Sequence, residues 1–217
     1  MKILFLADEP DPYYYEFFDK TKFDDLDLIV SCGDLKPEYV SFFATMSRVP
    51  VLYVRGNHDD IYAQNPPGGC ECIEDRIFTY KGVRFLGLGG CMRYKEGINQ
   101  FTDKEMARRI RKLSRQLRKS GGFDILVTHA PSKGVGDDTD PCHTGFTCFN
   151  DLIEKYHPAY HVHGHVHINY GRKFIREMQT DGTKVINAYQ HYLLEIPDGK
   201  PETAAGGHSK LAKVFRI

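Results

Sequence analysis

The chain opens on an unbroken apolar run, Ile3 to Ala7, closed by Asp8. The same arrangement recurs three times. Leu28 to Cys32 is closed by Gly33-Asp34, Val51 to Val54 precedes Gly56-Asn57-His58-Asp59, and Ile125 to Thr128 is closed by His129. Short, nearly continuous apolar runs suit strands that are buried on both faces. Helical periodicity fills the intervals. Pro37 to Met46 begins with proline at the first helical position, where its missing N–H costs nothing. Thr102 and Glu105 form a capping box, and Met106, Ile110, Leu113 and Leu117 line one face behind it. This spacing predicts one helix that stops at Gly121-Gly122. A further helix is expected over Phe149 to Tyr156, ending before Pro158.

Strands alternating with helices predict a parallel sheet. Two stretches break that regime. Arg76 to Tyr80 and Val83 to Leu88 flank Lys81-Gly82, while Lys173 to Gln179 and Lys184 to Ala188 flank Asp181-Gly182, and both pairs read as hairpins. Tyr192 to Ile196 and Leu211 to Ile217 read as further strands, and Ala204 to Gly207 as one surface loop. Mixed pairing follows, most simply in two packed sheets with helices outside. The expected class is α/β, with no internal repeat or linker, and the 217 residues suit a single domain over 1–217.

Composition narrows the function by exclusion. With 29 basic and 29 acidic residues the net charge is zero, so global charge does not argue for nucleic acid, an anionic membrane or an acidic partner. The apolar run at the N-terminus is too short for a signal peptide and no stretch approaches a membrane span, which predicts a cytoplasmic protein. Six cysteines without a secretory signal then read as free thiols in a reducing compartment. Cys70-Glu71-Cys72, and Cys142 and Cys148 flanking His143, lack the Cys-x-x-Cys spacing of structural zinc modules. The segment Asp103 to Lys119 carries Arg108, Arg109, Arg111, Lys112, Arg115, Arg118 and Lys119. A nucleic-acid surface is one reading of it, and a solvated helix face the favoured one. Tyr13-Tyr14-Tyr15 and Phe17-Phe18 are expected to pack on the core rather than wall a cleft.

The chemistry concentrates at His161-Val162-His163-Gly164-His165-Val166-His167, four imidazoles in seven residues. Alternate side chains of an extended segment share a face, so His165 and His167 can aim at one place. Imidazole is the commonest protein ligand for transition metals. The polar residues closing the upstream strands, Asp8, Asp34, Asn57 and His129, sit where open α/β sheets build their sites. Together they offer carboxylate, amide and imidazole donors suited to Mn, Fe, Zn or Ni. They are too many for one tetrahedral ion, which favours two. His161 and His163 read as supporting or core residues, and His157, His191 and His208 as surface or satisfied positions. His143 is equally open to touching a substrate phosphate and to capping a turn.

Gly33-Asp34, Gly56-Asn57-His58-Asp59, His129 and Gly164-His165-x-His167, in this order, resemble the calcineurin-like metallophosphoesterase superfamily, and His143-Thr144-Gly145-Phe146 its small single-domain bacterial members. The resemblance implies a four-layer α-β-β-α sandwich of two mixed sheets. It implies a metal-dependent phosphoesterase, with phosphodiesters ahead of monoesters, that uses two divalent ions and a bridging hydroxide for in-line attack on phosphorus. Manganese comes first, with Fe, Zn, Ni or Mg as alternatives. Asp34 would bridge the ions, Asn57, His129 and His165 would complete one site, and Asp8 and His167 would belong to the other. His58 would be the general acid, held by Asp59. The first motif departs from the family's Asp-x-His, because Asp8-Glu9-Pro10 puts a residue with no donor atom at the third place. Asp11 or water would have to fill that gap, and the Asp8/His167 site is expected to be the weaker. The rival reading is a non-catalytic metal-binding scaffold. A nuclease using the basic helix is a third.

Overall fold

The computed structural model describes residues 1–167, 175–197 and 201. In chain order its first elements are β1 (Lys2–Ala7), β2 (Leu28–Ser31), α1 (Pro37–Met46), β3 (Val51–Tyr53) and β4 (Glu71–Cys72). The middle of the chain forms β5 (Arg76–Tyr80), β6 (Val83–Leu88), β7 (Cys91–Met92), β8 (Gln100–Phe101), α2 (Asp103–Lys112) and α3 (Ser114–Ser120). It continues with β9 (Ile125–Thr128), α4 (Thr147–Tyr156), β10 (Tyr160–His163), β11 (Glu177–Thr180), β12 (Thr183–Asn187) and β13 (Gln190–Glu195). One sheet runs β13-β1-β2-β3-β4 and a second runs β11-β12-β10-β9-β6-β5. Both are mixed. β1, β2 and β3 are mutually parallel with β13 antiparallel at the edge, and β6, β9, β10 and β12 are parallel with antiparallel hairpin partners at both edges.

Side-chain alternation assigns the layers. Ile3, Phe5 and Ala7 of β1 share one buried cluster with Val83 and Phe85 of β6 and Ile125 and Val127 of β9, so this cluster lies between the sheets. Leu4 and Leu6 point the other way, onto Tyr39, Val40 and Phe43 of α1. Leu86, Leu88 and Leu126 leave the second sheet on its outer face, against Met106, Leu117, Phe149 and Leu152 of the remaining helices. The order is therefore helix, sheet, sheet, helices, the expected four-layer sandwich. Burial on both faces is why the strand sequences show no polar alternation.

Both expected hairpins form. Lys81 and Gly82 have φ of 47° and 84°, and Asp181 and Gly182 of 47° and 77°, the paired positive values of a tight turn matched to strand twist. The second hairpin starts at Glu177 within the expected Lys173 to Gln179 segment, whose first two residues lie outside the described residues, as do Leu211 to Ile217, Ala204 to Gly207 and His208.

Two expectations are corrected. The helix after Thr102 is two helices, parted at Leu113, whose N–H bonds to Ile110 and Arg111 carbonyls at a ψ of −4°. The tighter turn re-aims the chain so that Leu113 and Leu117 are buried with Met106. Of the aromatic run, only Tyr14 enters the core. Tyr13, Tyr15, Phe17 and Phe18 are 40–68% exposed, with Tyr15 and Phe18 edge-on to Phe42 of α1. All six cysteines are free thiols, and no helix among the described residues is long and apolar enough to cross a membrane.

Candidate metal centre

Each candidate ligand follows the carboxyl end of a parallel strand. Asp8 comes directly after β1, Asp34 shortly after β2, Asn57 after β3, His129 directly after β9, and His165 and His167 after β10. Facing sheets bring these ends together. Asp34, His129 and His165 offer ligand atoms that all lie within 4.8 Å of one another. His129 Nε2 lies 3.3 Å from Asp34 Oδ2 and 2.9 Å from Asn57 Oδ1. Alongside, His167 Nε2 is 3.5 Å from Asp8 Oδ1, and the amide of His165 donates to both Asp8 oxygens at 2.9 and 3.0 Å.

The backbone is bent to make this possible. Asp8, Asp34 and His165 have φ of 69°, 58° and 68°, a left-handed conformation that costs a non-glycine residue on the order of 1–2 kcal/mol. Hydrogen bonds hold them there, among them Asp8 N to Gly33 O at 3.1 Å and Asp34 N to Asp59 Oδ2 at 2.8 Å. The motif glycines make room. A Cβ on Gly56 would stand 2.0 Å from Asp34 Oδ1, and one on Gly164 would stand 2.7 Å from Asp8 Oδ2.

Second hydrogen bonds orient both buried imidazoles. His129 Nδ1 faces the Cys32 carbonyl at 2.9 Å and His165 Nε2 faces the Cys142 carbonyl at 2.7 Å. A carbonyl only accepts, so each of these nitrogens carries its proton, and His129 turns its other nitrogen, Nε2, to Asp34 and Asn57. Metal-binding histidines are oriented in this way. The donor set therefore fits a divalent cation: carboxylate, amide oxygen and two imidazoles, of which His129 carries a second proton between Asp34 and Asn57 in the metal-free fold and would give it up on binding.

Electrostatics shows the same negative focus. Burial alone would raise the Asp34 carboxyl, but the His129 charge and hydrogen bond, with the His58 amide, outweigh it and hold the group well below the usual carboxylate range. Burial likewise disfavours a charged His129, yet Asp34, with Asp8 and Asp59, raises it to about 9. His165, pushed down chiefly by burial and then by the His129 charge, lies at about 3. The hydrogen bond to Asp8 raises His167.

His58 is exposed, and its backbone N–H donates to Asp34 Oδ1 at 2.7 Å. Asp59 does not hold its ring. The Asp59 carboxylate accepts from the amides of Asp34 and Gly56 at 2.8 and 2.7 Å, bracing the loops that carry the centre, and burial with the Asp34 charge raises it to about 7. Asp11 is not a stand-in for the missing imidazole either. Its carboxylate takes the Tyr13 amide and pairs with His191 Nδ1, which makes His191 a satisfied position, as expected. His161 is fully buried between Thr128 Oγ1 and Ser132 Oγ at 2.8 and 3.2 Å, and His163 faces the Gly164 carbonyl. Arg109 leaves the expected basic face, crossing to Asp75 and the Gly89 carbonyl over the Phe101 ring.

Three contributors escaped the sequence reading. The hydroxyl of Tyr94 meets Asn57 Nδ2 at 3.4 Å. Asn187 donates to the Val166 carbonyl at 2.7 Å and accepts from the Tyr189 amide, tying the His165–His167 loop to β12. Its signal was available, since Asn187 closes an apolar strand as the other marks do. The third, Tyr189, packs against the His167 ring with 5.2 Å between centroids.

Fold and centre together define an α/β sandwich protein with a candidate divalent-metal site between its sheets. The chain belongs to the calcineurin-like phosphoesterases, whose family model matches residues 1–169. It is 24% identical over 199 residues to the UPF0046 protein K07C11.7 of Caenorhabditis elegans, covering 76% of this chain and 63% of that relative's length. Among solved structures, TT1561 of Thermus thermophilus aligns with a TM-score of 0.57 at 15% identity, covering 87% of this chain and 89% of that one. Another crystal structure aligns with a TM-score of 0.62 at 16% identity, covering 89% and 94%. Most members of the family are phosphoesterases and typically bind divalent metals.

Proposed function

We propose that this protein is a metal-dependent phosphodiesterase. The observation that supports it most is the convergence of Asp34, His129 and His165 within 4.8 Å, buried and with each imidazole oriented from behind by a carbonyl. Asp34, Asn57, His129 and His165 would hold one cation, and Asp8 and His167, with Asp34 shared, a second. Cations bound there would polarise the phosphate ester and supply an activated water for attack. The chain's own part is to place donors, brace them through Asp59, and present His58 from an exposed position beside Asp34 as the proton donor to the departing oxygen. Diesters are placed ahead of monoesters on the family resemblance alone.

The test is hydrolysis of bis(p-nitrophenyl) phosphate beside p-nitrophenyl phosphate, with manganese and with EDTA. Manganese-dependent, EDTA-sensitive cleavage of the diester is expected, abolished in Asp34→Asn and His165→Ala. His58→Ala should lower kcat chiefly for poor leaving groups, and equal losses for good and poor ones would end its role as an acid. One observation favours a non-catalytic scaffold: Pro10 carries no donor and Asp11 is spent on His191. Folded, metal-loaded protein that turns over neither substrate would establish that reading instead.

A further inference from the structure

A second group of metal-ligating side chains lies in the loop between β9 and α4. Asp140, Cys142 and His143 offer a carboxylate, a thiol and an imidazole whose ligand atoms all fall within 4.8 Å of one another. None of the three is among the ligands of the centre described above. We propose that they form a separate mononuclear site for a zinc-class cation.

The donor set carries the argument. Carboxylate, thiolate and imidazole are zinc's preferred partners, bound at about 2.0–2.3 Å. Tetrahedral geometry at those lengths sets neighbouring donors roughly 3.3–3.6 Å apart. Atoms within 4.8 Å reach that spacing by closing about 1 Å. His143 Nδ1 stands 3.0 and 2.9 Å from the two Asp140 oxygens, and this pair would open by a few tenths. The backbone is already wrapped around the carboxylate. Asp140 Oδ1 accepts from the amides of Cys142 and His143 at 2.9 and 3.1 Å, and Thr144 Oγ1 donates to the Asp140 carbonyl at 2.9 Å. Among the described residues no Lys or Arg pairs with Asp140, so its only cationic partner is the imidazole, when protonated. Binding replaces the thiol proton, released to solvent, and the proton shared between imidazole and carboxylate. Three protein donors leave a fourth position for water.

Cys148, the other thiol flanking His143 in sequence, plays no part, because it is buried in the helical layer and its amide bonds to Asp103. The site also has a place relative to the cleft. The Cys142 carbonyl holds His165 Nε2 at 2.7 Å, and the His143 ring lies 5.1 Å from the His165 ring. A cation here would fix the loop that orients a ligand of the main centre, whether or not that centre is catalytic.

Cobalt distinguishes the two places. The main centre has only oxygen and nitrogen donors, so a thiolate-to-cobalt charge-transfer band reports the loop site alone. Wild-type protein saturated with cobalt should show the band. Cys142→Ser should abolish it and lower cobalt stoichiometry by one, Cys148→Ser should leave it intact, and His143→Ala should weaken it at least tenfold in affinity. These side chains are partly exposed, and circular dichroism confirms that each variant is folded. Absence of the band in saturated wild-type protein, or its survival in Cys142→Ser, overturns the assignment.

Discussion

In the metal-free protein His129 should make a contribution to stability that is lost as the pH rises, and the size of that contribution follows from its pKa. The imidazole has an ordinary pKa of 6.5 and is raised to about 9 in the metal-free fold, where Asp34 overcomes the opposing effect of burial. A raised folded-state pKa means that the fold binds the proton more tightly than the unfolded chain does. The resulting stability is fully present below pH 6.5 and is lost as pH climbs through 9. A shift of that size corresponds to about 3 kcal/mol, of which about 2 kcal/mol is gone between about pH 6 and about pH 8.5. Asp59, raised from 3.8 to about 7 by burial and the Asp34 charge, acts with the same sign in a lower window, between about pH 4 and about pH 7, and adds only to the first part of the loss above pH 6. His129 is fully buried, so solvent screening does not dilute its share. The assay is urea unfolding of EDTA-treated protein at pH 6, 7 and 8.5, followed by circular dichroism. His129→Gln should flatten the slope by about 2 kcal/mol. Metal uptake requires neutral His129, so apparent affinity should rise about tenfold per pH unit towards pH 9. The buried His161, His163 and His165, all lowered by burial, act with the opposite sign between about pH 6 and about pH 7, so the comparison of wild type with His129→Gln carries the test, and an unchanged slope in His129→Gln would refute the reasoning.

Gly56→Ala places a Cβ 2.0 Å from Asp34 Oδ1 and 2.6 Å from Asp34 N, so it should cost about 1–3 kcal/mol and weaken metal binding at least tenfold by calorimetry. Asp124 accepts from Arg84 N at 2.8 Å and Nε at 2.9 Å with little exposure on either side. Asp124→Ala removes the carboxylate from a guanidinium that keeps the Ser120 and Gly121 carbonyls, and a loss of about 1–3 kcal/mol in chemical denaturation is expected. Thr102→Ala breaks the capping box in which Thr102 Oγ1 accepts from the Glu105 amide at 3.3 Å, and should cost about 1 kcal/mol by thermal melting without altering metal affinity.

The strands were legible because burial on both faces leaves a local trace, an apolar run with nothing polar inside it, as in Ile3–Ala7 and Leu28–Cys32. The helix Pro37–Met46 matched its expected bounds because proline fixes its start. Both hairpins were written in dipeptides able to take positive φ. The candidate ligands were legible for a related reason, since each directly or closely follows a strand and strand ends gather at one edge of the sandwich. Other features had no local trace. Nothing near Leu113 marks a break, because the break serves a cluster drawn from α2, α3, α4 and the outer face of the second sheet. Asp11 and His191 stand 180 residues apart in sequence and meet only because β13 lies beside β1. Asp59 follows His58 in sequence, yet its carboxylate turns to two amides because burial leaves it no solvent and those donors are nearer to its path. Periodicity and turn chemistry are properties of a few consecutive residues. The partner a buried polar group takes depends on which groups packing has left unsatisfied around it, and those arrive from anywhere in the chain.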